Sequence, residues 1–119
     1  EPGESAQQGA VRELREETTI DLPSDKMIPL SILSVLPMHE LYLSFRCHCE
    51  QPLQAQLTEE VAAWGWFSED EVPWDEIAYN NAEFHLRQSY RWLKEQRFPI
   101  CIGHSTADKI TYNAYDPKY

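Results

Sequence analysis

Residues 27–49 constrain the fold more than any other part of the chain. Met27 to Leu36 is rich in aliphatic side chains, and Pro37-Met38-His39-Glu40 interrupts it. Leu41, Leu43, Phe45, Cys47 and Cys49 then alternate with Tyr42, Ser44, Arg46 and His48. A period of two marks a strand, because successive side chains leave opposite faces of the pleat. The first run reads as a second strand, and the four-residue break is short enough to return the chain as a hairpin. Helical patterns on either side make this an α/β chain.

Upstream, Ser5 with Gln8 three residues on forms a capping box and opens a helix. Ala6, Ala10 and Leu14 repeat every fourth residue and are expected to face a core. The helix should fade at Thr18-Thr19-Ile20, three β-branched residues, before a turn at Leu22-Pro23-Ser24-Asp25. Downstream, Gln51 to Thr58 is polar, contains Pro52 and reads as a loop. Val61 to Phe67 reads as a third strand, with Trp64 and Trp66 on one face. Ser68 to Glu71 looks like a cap and short turn ahead of Val72-Pro73. A second helix is expected over Asn81 to Gln96, with Ala82, Leu86, Tyr90 and Leu93 as its apolar stripe. Residues 98–119 form a weakly patterned tail with candidate short strands at Ile100 to Ile102 and Lys109 to Tyr112. The length of 119 residues fits a single domain.

The first helix carries the chemistry. Within Arg12-Glu13-Leu14-Arg15-Glu16-Glu17, three carboxylates fall at i, i+3 and i+4 and so share one face. Like charges at that spacing cost a few tenths of a kcal/mol per pair. A divalent cation relieves the repulsion, and Mg²⁺ favours oxygen ligands, often one or two carboxylates completed by substrate phosphates.

The same run resembles the Nudix box, G-x5-E-x7-R-E-U-x-E-E-x-G-U, where U is bulky and aliphatic. Glu4, Arg12, Glu13, Leu14, Glu16, Glu17 and Ile20 match it in spacing and type. Thr19 stands where the box has its second Gly. If that position needs positive φ, the β-branch is strained there; otherwise Thr19 adopts an extended conformation. The first Gly of the box would lie six residues before Glu4, so the expectation is an N-terminally truncated domain whose first strands are missing. The implied fold is an α/β/α sandwich around a mixed β-sheet.

The resemblance implies hydrolysis of the diphosphate linkage in a nucleoside diphosphate derivative, with Mg²⁺ or Mn²⁺. It implies Glu13, Glu16 and Glu17 as metal ligands, Glu13 serving as ligand or base, and Glu4 and Arg12 as residues that orient the set. Family members often place a further metal-binding or basic Glu on a later loop; here Glu60, or else Glu59, stands in that place. The stretch from Trp66-Phe67 through Pro73-Trp74-Asp75-Glu76-Ile77-Ala78-Tyr79 resembles an ADP-ribose pyrophosphatase-like subgroup. Trp74, Tyr79 and Tyr42 are candidates for stacking a base, against the simpler reading of packing. The alternatives are a non-catalytic nucleotide-binding module of the same fold, which usually loses box carboxylates, and an inactive fragment.

Composition narrows the field further. A net charge of −10 argues against a nucleic-acid partner, which requires clustered Lys and Arg. No apolar run is long enough to span a bilayer, so no membrane partner is expected. Cys47, Cys49 and Cys101 have no disulfide or zinc spacing and are expected as reduced thiols in a cytoplasmic protein. A homodimer would cover edges left by missing strands.

Overall fold

A computed structural model describes residues 2–50, 53–56 and 64–116. Among these residues are two α-helices, α1 (Ala6–Thr18) and α2 (Asn80–Glu95), and four strands, β1 (Ile28–Val35), β2 (Glu40–Arg46), β3 (Ile100–Ser105) and β4 (Ile110–Tyr115). The strands form one sheet in the order β2-β1-β3-β4. β1 runs parallel to β3, and β3 antiparallel to β4, so the sheet is mixed and the class is the expected α/β. The backbone divides into two compact units, 1–29 with 45–66, and 30–44 with 67–119.

In the first unit, α1 opens where the sequence places it. Ser5 Oγ accepts from the Gln8 amide at 3.1 Å, and the Gln8 side chain accepts from the Ser5 amide at 2.8 Å. The buried residue of the helix is Val11, flanked by half-buried Gln7, Ala10 and Leu14. The expected Ala6–Ala10–Leu14 face is therefore rotated, and Ala6 is exposed. Methyl groups attract less burial than an isopropyl group, so Val11 sets which side turns inward. The third strand expected over Val61 to Phe67 is not a strand at residues 64–67; residues 61–63 lie outside the described part.

In the second unit, Leu30 of β1, Trp92 of α2 and Cys101 of β3 form the core, with Phe84 and Tyr112 packed against it. Phe84 and Tyr112 meet edge to face at 4.9 Å. Ser31 is buried and lies 2.5 Å from His85 Nε2. Most of the apolar stripe foreseen for α2 faces outward: Ala82 is exposed and Leu86 and Leu93 are 38% and 49% exposed, while Tyr90 is half-buried against Trp74 and Trp92 is 3% exposed. Two apolar stripes run along this helix, and the core takes the one that carries Phe84 and Trp92.

The two tail strands foreseen at 100–102 and 109–112 are real and longer than expected. Gly103 explains how they pair. It lies opposite Tyr112, and a Cβ there would strike the Thr111 carbonyl oxygen and come 2.7 Å from Tyr112 Cα. A glycine inside a strand often marks such a close backbone approach. β2 stops at Arg46, so Cys47 and Cys49 fall beyond it; all three cysteines are free thiols. No helix among the described residues is long and apolar enough to cross a membrane.

Candidate carboxylate site

Helix α1 presents Glu13, Glu16 and Glu17 on its exposed side, as their i, i+3, i+4 spacing requires. Arg12 lies beside them and binds two carboxylates, Glu16 of this set and Glu4 ahead of the helix. Its Nε donates to both Glu4 oxygens at 3.1 and 3.2 Å, and its Nη2 donates to Glu4 Oε1 at 2.9 Å. Its Nη1 donates to both Glu16 oxygens at 3.3 and 3.2 Å. One guanidinium thus spans two carboxylates with different edges of its fork, which suits the planar donor geometry of arginine.

The two halves of this network differ in exposure. Arg12 and Glu4 side chains are 21% and 19% exposed, while Glu16 is 56% exposed. Glu4 titrates at about 2, far below its ordinary value, because Arg12 hydrogen-bonds its charged form. Glu4 lies just ahead of the helix, and the Ser5 cap fixes the bend that lets it fold back onto Arg12. Gly9 makes room for it, since a Cβ there would sit 3.2 Å from Glu4 Oε1.

The donor chemistry suits a hard divalent cation: exposed carboxylate oxygens one helical turn apart. Among the described residues, however, no cluster of three or more His, Cys, Asp or Glu side chains is arranged to hold an ion. Glu16 is drawn to Arg12, while Glu13 makes no ion pair among the described residues. The helix therefore places Glu13 and Glu17 on one face, with Glu16 drawn to one side by Arg12. Glu59 and Glu60 lie outside the described residues.

The end of α1 holds a feature the sequence left open. Thr19 caps the helix with φ 65° and ψ 1°, the left-handed conformation, so the first of the two alternatives for this position holds. Its amide donates to the Arg15 carbonyl at 2.9 Å.

A recess of about 660 Å³ borders the same helix, lined by Glu4, Gln8, Arg12 and Arg15 together with Asp21 and Ser24. Glu13, Glu16 and Glu17 do not line it. Sequence reasoning did not foresee this concavity, because it depends on how the turn at Ser24–Lys26 packs back against α1.

The aromatic candidates are already engaged to different degrees. Trp74 meets Tyr90 edge to face, donates to the Glu69 carbonyl at 3.1 Å and carries Arg87 over its ring at 4.1 Å. Packing accounts for it. Tyr42 has its hydroxyl pKa raised, chiefly by a hydrogen bond to Glu40, and Tyr79 is strongly exposed.

A model of the NUDIX domain matches residues 1–93. Among solved structures, the chain is similar to the crystal structure of a NUDIX hydrolase from Nitrosomonas europaea, with a TM-score of 0.79 and 22% sequence identity. The match covers 89% of this chain and 58% of that one. At that identity the likeness speaks for the fold. No curated protein matches the chain.

Proposed function

The chain belongs to the NUDIX domain family, and we propose that it hydrolyses the diphosphate linkage of a nucleoside diphosphate derivative with Mg²⁺ or Mn²⁺. The observation that carries this reading is the Glu4–Arg12–Glu16 network beside Glu13 and Glu17 on one helix. An acidic, solvated helix face has no use for a carboxylate eight residues away folded back onto its arginine.

Glu13 and Glu17 would hold the cation, and Glu16 would join them by turning from Arg12. Bound there, the cation would neutralise the diphosphate and lower the pKa of a bound water. Arg12 offsets the repulsion between Glu16 and its acidic neighbours, and Glu4 fixes Arg12 by accepting from its Nε and Nη2 at once. Exposed and unpaired among the described residues, Glu13 is the group best placed to accept a proton. Glu60 remains the proposed further carboxylate. ADP-ribose and dinucleotides lead the substrate candidates because the 66–79 pattern resembles that subgroup.

The test is a panel of nucleoside diphosphate derivatives with Mg²⁺ or Mn²⁺, with products identified. Glu17→Gln should reduce turnover by more than the roughly 10–100-fold typical of a residue that only supports a ligand. Parent-like turnover in Glu17→Gln would refute the assignment. Binding of ADP-ribose without turnover would favour a nucleotide-binding module.

A further inference from the structure

The C-terminal turn of α1 has orphan carbonyls that need donors. The Arg15 carbonyl takes the Thr19 amide at 2.9 Å. The Thr18 carbonyl is different. Its donor comes from outside the helix, the Gln56 amide at 2.8 Å. That outside donor matters because Thr19 is a poor left-handed cap. Glycine holds this conformation without a Cβ clash; threonine does not, and by itself it favours negative φ.

Gln56 needs an anchor in turn. Residues 53–56 form no helix or strand, and Ala55 is buried. The Leu53 carbonyl accepts from Trp66 Nε1 at 2.7 Å. Trp66 is 52% exposed, so burial alone does not dictate where its ring points. All these residues belong to the first compact unit. A continuous line of contacts therefore runs from Trp66 through Leu53 and Gln56 to Thr18, one residue beyond Glu17.

Resting on the function proposed above, we propose that Trp66 is a positioning residue for the carboxylate helix: its indole N–H holds residues 53–56 so that Gln56 clamps a helix end that Thr19 cannot lock unaided.

Trp66→Phe keeps a ring and removes the N–H, and three readings decide the matter. Amide exchange at Gln56 should quicken about five-fold, the equivalent of one typical hydrogen bond. Mn²⁺ affinity, read from the electron paramagnetic resonance of the free ion, should fall by about the same factor. In a Thr19→Gly background the Mn²⁺ effect of Trp66→Phe should shrink to less than about two-fold, because the helix end then locks itself. Unchanged Gln56 exchange overturns the proposal. An equal Mn²⁺ loss in both backgrounds also overturns it, since Trp66 would then act through general stability. If the parent neither binds Mn²⁺ nor hydrolyses any substrate, the proposed function falls, and Gln56 exchange alone decides the clamp.

Discussion

Replacing Thr19 with glycine should stabilise the protein. Thr19 sits at φ 65°, where a Cβ crowds the neighbouring carbonyl, and the strain of an L-residue there is about 1–2 kcal/mol. Its side chain is exposed and makes no hydrogen bond among the described residues, so little is lost with it. Glycine also loosens the unfolded chain, which offsets about 0.4–1 kcal/mol. The net gain is about 1 kcal/mol. At roughly 2.1 cal/mol/K per residue over 119 residues, that corresponds to a rise in Tm of about 4 °C. Thermal unfolding followed by circular dichroism measures it. Thr19→Asn should gain part of this, because asparagine tolerates the left-handed region. Thr19→Val should gain nothing, because it keeps the β-branch. A Tm for Thr19→Gly at or below that of the parent would refute the strain argument. So would equal gains in all three variants, because a common effect could not come from φ.

Two further outcomes follow from the same geometry. Glu4 is held at about 2 by Arg12 against an ordinary 4.5, so the stability it contributes is complete above about 4.5 and lost as pH falls towards about 2. In Arg12→Met the urea midpoint should fall less steeply across that window than in the parent, and parallel slopes would show that Arg12 does not hold Glu4. Gly103→Ala should destabilise by at least about 1–3 kcal/mol, because its Cβ meets backbone of the paired strand rather than a movable side chain. A urea midpoint unchanged from the parent would mean that β4 does not approach β3 as described.

What the sequence revealed depended on whether one periodicity or two were present. β1 and β2 were legible because each carries a single pattern, and their ends move by only a few residues between expectation and structure. The helices were legible in extent but not in facing. α2 carries Ala82, Leu86 and Leu93 on one side and Phe84 and Trp92 on another, and both stripes have helical spacing. Spacing cannot choose between them; the volume available against Leu30 and Cys101 does. The tail strands were faint for the opposite reason. Ile100–Ser105 contains Gly103, His104 and Ser105, residues that carry little strand preference. It is a central strand because its neighbours β1 and β4 pair with it, which is a property of residues far away in sequence.

The carboxylate helix shows a third limit, between the face a residue occupies and the partner it chooses. Helical spacing puts Glu16 beside Glu13 and equally beside Arg12, three and four residues away. Spacing alone leaves open whether Glu16 stands with the acidic group or leaves it. The structure resolves this through Glu4, which no helical periodicity connects to Glu16. Glu4 occupies the Nε and Nη2 edge of Arg12, and Glu16 is left with Nη1. An arginine with one edge already filled is fixed in direction, so its remaining donor points to one place. That is why a residue ahead of the helix governs a carboxylate in its last turns. It is also why Arg12→Lys would not be conservative: an ammonium group cannot present two oriented edges to two carboxylates.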